Sequence, residues 1–502
     1  KTEGNLNIST SDTLSLENHL TQVGVGGTDF GAIVSTTKDN GDSKITLKTG
    51  NTFIAQNIKA EAGSTPRVSM DNTNVSVTSI RGSGMINKVS TAGNTTLTVE
   101  GNSSMQANEI NLQAQLLTGK KLIGKDENNK NVYEYYNLKS DIHAVGVSVL
   151  GIGVDKSRTY SDRNVTTQVG AITLSGLTDN QGVTGNIQEV NIGAYDGTLI
   201  DNYIRTTSVG VIASESNFAQ SRLNNSVTTS VDTGVGTWSG IGQLNIGAES
   251  GIKVKAHSKA SSGSTIDFQL YAADVENTVT SNVITNITGN YEAETAVLKT
   301  AQTLDMDLVA EMLAVHVIGG SGTFVDNTTA LNTKTNITDA KVSTTEGDLI
   351  VESFTDVNMN RGFENTKDGN LDPSDSEANL NNIKETTTAK GNGVGVFDID
   401  RVGVDSTITT TTENNITKST LISAGDLNVG ALTAGFIRAV AYAYTVNAFG
   451  GVRLDLDNTV TFNDTDNISG STLKTKNRNN INIVATDGAG TTNTTVTTSG
   501  YG

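Results

Sequence analysis

One short element recurs along the whole chain and constrains its fold more than any other feature. It consists of an apolar residue, an asparagine and a second apolar residue, often followed by a small residue and alanine. The copies lie at residues 6–8, 110–112, 190–192, 244–246, 427–429 and 481–483, with a looser copy at 349–351. Apolar side chains at i, i+2 and often i+4 have the period of a β-strand with one buried face. The sequence therefore predicts a strand that is repeated many times.

The scarcity of proline supports an all-β chain. Only Pro66 and Pro373 occur in 502 residues, whereas there are 52 glycines. Proline removes a backbone donor from a sheet, and threonine and valine suit a pleated surface, so this balance favours paired strands joined by Gly and Asn turns. The regular repeats distinguish the chain from a disordered one of similar composition.

The spacing between similar strands suggests how they stack. Val145 and Val165 are roughly 20 residues apart, as are Val440 and Val460, and Ile481 follows Val460 at a similar distance. We therefore expect an all-β fold, namely an elongated parallel β-helix, or β-solenoid, with coils of about 20 residues. A single coil cannot bury its apolar face or pair its backbone groups, whereas a stack of coils does both.

Polar stretches are expected to leave this ladder as loops. Residues 119–141 and 360–392 are rich in charged residues, Asn and Gly, and are predicted to be loop excursions from one continuous solenoid segment, residues 1–502.

Two apolar stretches also fit a helix. Residues 429–452 are long enough to cross a bilayer, but Arg438 lies near their middle, where insertion would cost about 2.5 to 3.5 kcal/mol. Residues 303–317 have apolar side chains at helical spacing. The position of each stretch in the repeat favours strand, so we expect no transmembrane span.

Charge and cysteine content exclude several classes of function. The formal net charge is −18, so nucleic-acid phosphates would repel the chain, and we expect no nucleic-acid partner. The chain has no cysteine, which excludes disulfides, thiolate catalysis and cysteine-ligated zinc.

The sequence contains no recognisable catalytic motif. Its four histidines lack metal-ligand spacing, and no nucleophile elbow or phosphate-binding loop is present. Paired carboxylates occur at Asp305/Asp307, Asp398/Asp400 and Asp455/Asp457. Each pair alternates with apolar residues that are expected to face the core, so the aspartates are expected to point to solvent.

One loop is a candidate calcium site. Asp368, Asn370, Asp372 and Asp375 place oxygen ligands close together in the sequence. Pro373 stands where an EF-hand needs glycine, and the closing glutamate is missing, so the loop is not that motif. The alternative is an acidic loop without a metal. No other cofactor is expected.

The turn-and-strand units resemble those of a known family. Gly-Asn-Leu-Asn-Ile at 4–8, Gly-Asp-Leu-Ile-Val at 347–351 and Gly-Asp-Leu-Asn-Val at 425–429 resemble coils of filamentous-haemagglutinin-like adhesins. The Val/Gly block at 144–170 is similar, more specifically, to leukotoxin-type filamentous adhesins of anaerobic Gram-negative bacteria. The resemblance covers most of the chain, without the family's N-terminal secretion domain, and implies a repetitive stalk. It also implies type V or two-partner secretion, an extracellular location on the bacterial surface, and adhesion or fibre formation.

Two functions of different classes remain open from the sequence. The first is a structural, adhesive rod or fibre subunit without catalysis. It would bind a host or bacterial cell-surface receptor or glycan through its coils and loops, and could self-associate end to end into filaments. The alternative is a β-helix polysaccharide lyase or hydrolase. Aromatic residues suited to sugar stacking make up only 5 % of the chain, and Trp238 is the one tryptophan.

Overall fold

The structure is a computed structural model that describes residues 4–125, 129–178, 182–359, 387–476, 479–487 and 491–501. Nearly all of these residues are in strands, and no helix occurs among them. The strands are β1 (Leu6–Asp12), β2 (Ser15–Asp39), β3 (Ser43–Leu47), β4 (Thr52–Ile54), β5 (Asn57–Ser64), β6 (Arg67–Val99), β7 (Ser104–Gln106), β8 (Glu109–Leu116), β9 (Lys120–Lys125), β10 (Asn131–Tyr135), β11 (Leu138–Val169), β12 (Thr173–Ser175), β13 (Ile187–Asp196), β14 (Leu199–Thr344), β15 (Leu349–Met359), β16 (Thr387–Thr417), β17 (Thr420–Ser423), β18 (Leu427–Ser469), β19 (Thr472–Thr475), β20 (Ile481–Asp487) and β21 (Thr491–Tyr501).

The two stretches that also fitted a helix are strands. Residues 429–452 lie within β18, and residues 303–317 lie within β14, so the strand prediction is confirmed for both. Across the described ranges, the chain has no helix with the length and hydrophobicity needed to cross a membrane.

The repeated strand elements stack in parallel and in register. Leu6 pairs with Ile58, Ile58 with Ile110, Ile110 with Val190, and Val190 with Leu244. Apolar residues therefore lie on apolar residues from one layer to the next, and Asn111 pairs with Asn191, which in turn pairs with Asn245. The predicted all-β fold with a long parallel sheet is confirmed.

The predicted coil length is wrong, because the repeat that stacks is much longer. Asn415 and Asn467, which are paired in adjacent layers, are 52 residues apart, and Leu6 pairs with Ile58 at the same separation. The shorter lag joins strand segments within one layer, as with Val145 and Val165 of β11. Every bend of a layer uses similar Gly and Asn chemistry, so similarity along the sequence identifies segments but does not show which of them pair.

We call each level of the stack, from one strand to the strand that pairs with it in the next level, a layer. Each layer contains a flattened arm, in which one strand segment extends outward, the chain bends at the tip of the arm, and a second segment returns. In β11 the even-numbered residues are buried up to Ser148, and the odd-numbered residues are buried from Gly151 onward. The change of phase at this bend keeps one face of both segments inside. The two segments face each other, and Ser157 Oγ donates to Ser140 Oγ at 2.5 Å. With roughly 11 residues in the outgoing segment, the arm is about 35 Å long.

We number the layers in which both segments of the arm are described 1 to 8 in chain order; β21 pairs with β18 and belongs to a further layer. β2, β6 and β11 form layers 1 to 3, three passes of β14 form layers 4 to 6, and β16 and β18 form layers 7 and 8. The middle pass of β14 lies beside the other two: the rings of His257 and Tyr203 are 6.1 Å apart, and His257 Nε2 is 3.0 Å from Asp307 Oδ2. Eight layers at about 4.8 Å span about 34 Å, so the stack is about as tall as its arm is long.

Apolar side chains fill two clusters that polar rows separate. One cluster lies in the base of the arm and includes Val357, and the other lies in the body of the layers and includes Val351. Between them, Thr355 Oγ1 is hydrogen-bonded to the hydroxyls of Thr333 at 2.7 Å and Thr412 at 2.8 Å. Such ladders satisfy buried hydroxyls, which would otherwise destabilise the fold.

The longer layers carry insertions. β9 and β10 form an antiparallel hairpin within the predicted excursion at 119–141, whereas residues 138–141 belong to β11. Of the second excursion, residues 387–392 belong to β16, and residues 360–386 lie outside the described ranges. The register also requires extra residues between β12 and β13, because Gln106 pairs with Ser175 but Glu109 pairs with Glu189. Sequence analysis missed this insertion.

Candidate binding surface

The tip of the arm has glycine inside and valine outside. In β11, Gly146 and Gly153 are buried, whereas Val145, Val147 and Ile152 are 43 %, 43 % and 56 % exposed. The interior of the bend has no room for a side chain at these glycines, because it already holds polar side chains. A Cβ added to Gly146 would lie 1.7 Å from Arg81 Nη1. Strand alternation then places the valines on the surface.

These exposed side chains form a continuous surface that we call the apolar ridge. Its members are Val23, Val25, Phe30, Val77, Ile80, Val145, Val147, Val149, Ile152, Val154, Val209, Val211, Ile212, Leu313, Val315, Val317, Ile318, Val394, Val396, Phe397, Ile399 and Phe449, each more than a third exposed. They stack in columns, as Ile318 pairs with Phe397 and Phe397 with Phe449. The rings of Phe397 and Phe449 are stacked, with centroids 5.2 Å apart. An apolar patch of this length is typical of an interaction surface.

Layer 5 divides the ridge into two blocks. Its tip carries Ser261, Gly263 and Thr265, where layers 3, 4, 6 and 7 carry branched apolar residues. The ridge therefore has an apolar block in layers 1 to 4, a polar interval in layer 5 and a second apolar block in layers 6 to 8.

Charged rows border the ridge on both sides. The outgoing border consists of charged residues on the outgoing segments of layers 4 to 7, namely Arg205, Lys259, Glu311 and Lys390; in layer 3, His143 pairs with Arg205, and Asp141 lies two residues farther from the tip. Glu311 accepts from Lys259 at 2.8 Å and is 3.6 Å from Lys390 Nζ. Burial raises the pKa of Glu311, but the two lysines outweigh burial and lower it. Glu311 is thus ionised, and the border carries both signs of charge.

The returning border lies on the other side of the ridge. It consists of charged residues on the returning segments of layers 3 to 7, at different distances from the tip: Lys156, Arg222, Asp274, Asp326 and Arg401. Burial, and then the charges of Asp326 and Glu276, raise the pKa of Asp274 to about 7. Arg401 Nε donates to Asp455 Oδ2 at 2.9 Å.

Beneath the ridge, the inside of the tip contains buried ionisable groups. In layers 2 to 4, Arg81 forms an ion pair with Glu215 and donates to Ser83 at 2.8 Å. Burial raises the pKa of Asp155, which accepts from the backbone N–H of Met85 at 2.8 Å, to about 6. Such an interior leaves no space for apolar side chains, which is why they lie outside.

A second buried group lies in layers 6 and 7. His316 Nε2 is 3.0 Å from Asp398 Oδ1, and both side chains are fully buried. Burial lowers the pKa of His316, but its hydrogen bond to Asp398 outweighs burial and raises it. Ser321 donates to Asp400 through its hydroxyl at 2.7 Å and its backbone N–H at 3.1 Å, and burial still raises the pKa of Asp400 to about 6.

The predicted solvent exposure of the aspartate pairs is wrong for one pair. Asp398 and Asp400 are buried, and their neighbours Phe397 and Ile399 are exposed. The prediction assumed that the apolar residues of an alternating strand face inward, whereas the glycines of the bend decide which face turns in.

The other two aspartate pairs lie at the surface. Asp305 is 3.9 Å from Lys253 Nζ, and Asp307 is paired with His257. Asp455 accepts from Arg453 and Arg401 at 2.9 Å each, and Asp457 is exposed.

The predicted calcium loop is not part of the described structure. Asp368, Asn370, Asp372 and Asp375 lie outside the described residues. Within the described ranges, no group of three or more His, Asp or Glu side chains is arranged to hold a metal ion.

The apolar ridge is the candidate functional feature that sequence analysis missed. The Val/Gly blocks of the sequence indicated this surface. When valine and glycine alternate along a strand, the face that carries the glycines buries almost no side-chain area. Comparisons of the chain with protein-family models, curated proteins and solved structures give no match.

Proposed function

We propose that the chain is a segment of a parallel β-solenoid, with long coils of the kind that separate Asn415 from Asn467, from a secreted structural and adhesive protein of a bacterial surface. The observation that carries this proposal is the parallel register, which continues from Leu6 in β1 to Ile481 in β20. Such stacking gives a stiff body that can be extended by further layers of the same kind. A longer stack of the same layers would form a rod.

The stacked register also repeats surface chemistry, which suits adhesion. Asn415 Nδ2 donates to Asn336 Oδ1 at 3.0 Å, and Asn467 Nδ2 donates to Asn415 Oδ1 at 2.8 Å. This asparagine ladder presents an amide group at intervals of about 4.8 Å. A repeating ligand such as a surface glycan can contact several rungs at once, so weak single contacts add up.

Binding of the purified chain to cells tests the adhesive function. We expect saturable binding of the labelled 502-residue chain to bacterial or animal cells, with competition by unlabelled chain. Asn415→Lys breaks the ladder and should weaken binding several-fold, whereas Asn245→Lys, on another face, should not. Equal binding of both variants would exclude the ladder as the contact, and the absence of saturable binding to any cell type would overturn the adhesive proposal.

A screen for activity tests the enzymatic alternative. The chain should release no product from acidic polysaccharides, with or without Ca²⁺. Product release that depends on the intact chain would overturn the non-catalytic proposal.

A further inference from the structure

We propose that the returning face of the arm, which is the outer surface of its returning segments, binds a second copy of this chain with the two stacks antiparallel. This side-by-side contact goes beyond the proposed function, which concerns stacking along the axis and binding of other molecules. A row of surface residues whose charge changes sign halfway along the stack supports a second copy as the partner. We call this row the charged column.

The charged column contains one outward-facing residue of the returning segment in each layer. Its members, from layer 1 to layer 8, are Thr36, Lys88, Arg158, Gln220, Glu276, Asp326, Asp405 and Asp457. Strand pairing aligns the first four members with one another and the last three with one another. The column is therefore basic in layers 2 and 3, neutral in layer 4 and acidic in layers 5 to 8.

Side-chain hydrogen bonds align the column through the middle of the stack. Gln220 Nε2 donates to Glu276 Oε2 at 2.8 Å, from layer 4 to layer 5. One residue further along layers 5 and 6, Asn277 Nδ2 donates to Asn327 Oδ1 at 2.8 Å. Glu276 thus lies beside Asp326, and the column continues without a shift from the basic half to the acidic half.

Most of the charges on the column are not neutralised within one copy. Across the ranges that the structure describes, its two cations and its three aspartates form no ion pair. Carboxylates stacked about 4.8 Å apart repel one another. Burial, and then the charges of Asp405 and Glu276, raise the pKa of Asp326. A partner that brings cations to the acidic half would relieve this repulsion.

Antiparallel pairing joins the basic half of one copy to the acidic half of the other. A two-fold axis along the strand direction, between layers 4 and 5, places layers 1 to 4 of one copy opposite layers 8 to 5 of the other. Lys88 of layer 2 then meets Asp405 of layer 7, and Arg158 of layer 3 meets Asp326 of layer 6. The symmetry repeats both contacts, and a surface of this kind is self-complementary.

The end and the centre of the column also match in this arrangement. Thr36 of layer 1 meets Asp457 of layer 8, and Gln220 of layer 4 meets Glu276 of layer 5. In both contacts a neutral hydrogen-bond donor faces a carboxylate, which accepts hydrogen bonds. No two like charges of the column face each other in any of the eight layers.

A parallel pair would place each residue of the column opposite its own copy. Lys88 would meet Lys88, Arg158 would meet Arg158, and the acidic residues of layers 5 to 8 would meet one another. Like charges would then face each other in every layer except those of Thr36 and Gln220. Such contacts oppose association, so the column favours the antiparallel orientation.

The returning face is large enough for a specific dimer. Eight layers give a height of about 34 Å, and three outward positions along each strand give a width of about 20 Å. Contact over this face would bury on the order of 1,000 to 1,500 Å² in total, which is within the range of specific interfaces.

Sedimentation equilibrium of the 502-residue chain tests the association. We expect dimers at micromolar concentration in about 50 mM salt and weaker association in about 500 mM salt, because salt screens exposed charges. The double variant K88E/R158E should weaken the dimer at least tenfold. The control is R205E/K255E, which makes the same change in net charge on the outgoing segments and should leave the dissociation constant within about twofold.

Reversal of the whole column gives a test that a loss of folding cannot mimic. The double variant D326K/D405K should weaken the dimer as K88E/R158E does. The quadruple variant K88E/R158E/D326K/D405K restores opposite charges in the same two layers of each copy. We therefore expect it to dimerise within a few-fold of the native chain, whereas a fold that merely requires these side chains would not recover.

Cysteine cross-linking tests the orientation, and the chain has no native cysteine to interfere. Thr36 and Asp457 lie in layers 1 and 8, which the antiparallel pair brings together. A mixture of T36C and D457C copies should form disulfide-linked dimers. T36C alone should not, because its two cysteines would be about 34 Å apart.

Four results would overturn the proposal. The first is a chain that stays monomeric at 100 μM in low salt while circular dichroism shows folded strand. The second is cross-linking of T36C with itself, which indicates a parallel pair. The third is equal weakening of the dimer by R205E/K255E and K88E/R158E, which would place the contact elsewhere. The fourth is dissociation by EDTA at constant ionic strength, which would assign the carboxylates to a bridging divalent cation.

Discussion

At the scale of single residues, the buried carboxyl groups of the arm tip give the fold a specific dependence on pH. The pKa of Asp400 is about 6 in the folded chain, above its ordinary value of 3.8, because the side chain is buried. A carboxyl that keeps its proton in the folded state stabilises the fold at low pH, and this stabilisation is lost as the pH rises through about 6. His316 acts in the same direction, because its pKa is also raised.

Asp400→Asn should therefore flatten the pH dependence of stability. We expect the free energy of unfolding of the native chain to fall between pH 4 and pH 7, with Asp400 accounting for on the order of 2 kcal/mol. Urea unfolding at several pH values measures this slope. Asp71→Asn, at a half-exposed surface site, is the control and should keep the native slope. The same slope in D400N and in the native chain would contradict this prediction.

Gly210 shows how closely neighbouring layers approach at the tip. A Cβ at this position would lie 2.3 Å from the carbonyl oxygen of Ser148 in the layer below. Backbone atoms cannot move aside as a flexible side chain can, so Gly210→Ala should destabilise the chain by roughly 1 to 3 kcal/mol. Gly451→Ala is the matched control, because a Cβ there would contact nothing within 4 Å. Thermal unfolding compares the two variants, and equal midpoints would show that the layers are farther apart.

At the scale of strands and loops, the register identifies a segment that the stack does not need. Met359 pairs with Ile437, and Thr388 pairs with Val440. Only Arg438 and Ala439 lie between the partners in layer 8, whereas the whole of 360–387 lies between Met359 and Thr388. Layer 8 thus shows that the chain can pass from one strand position to the next without this segment.

Replacing residues 360–386 by a single arginine should leave the stack intact. We expect a shift of no more than a few degrees in the unfolding midpoint, because insertions at bends contribute little to the core. A control deletion of residues 388–414 removes most of the arm of layer 7 and should abolish cooperative unfolding. Loss of cooperative unfolding in the first variant would show that the segment supports the sheet.

At the scale of the whole molecule, the strand pairing consists mainly of contacts between residues far apart in the sequence. The parallel ladders join residues that are far apart in the chain, as with Leu6 and Ile58 or Asn415 and Asn467. Pairing over such separations requires closure of long loops before any contact stabilises the chain, so folding is slow. The same contacts must break together when the chain unfolds.

Refolding from urea should therefore take seconds or longer. Stopped-flow measurements of the fluorescence of Trp238 report on this step, because the indole is buried and donates to the carbonyl of Ile172 at 2.9 Å. Refolding within milliseconds would indicate that local contacts dominate, contrary to the ladder described above.

The sequence by itself determined the strands and the composition of the turns. Alternation at elements such as 190–192 and 244–246 requires a half-buried strand, and the scarcity of proline allows nearly all backbone donors to pair. These are local properties, because they follow from each residue and its near neighbours. The same periodicity correctly assigned residues 429–452 to a strand, since Arg438 and the repeat position weighed against a membrane helix.

Only the tertiary structure decided the length of a coil and which face of the arm turns inward. All bends use similar residues, so the sequence could not distinguish the short spacing of segments within a layer from the longer spacing between layers. At the tip, Asp398 and Asp400 are buried and Phe397 is exposed, because the narrow bend accepts glycine and hydrogen-bonded polar groups but not a valine side chain. That choice depends on the distance between two sheet segments, which residue-by-residue hydrophobicity does not encode.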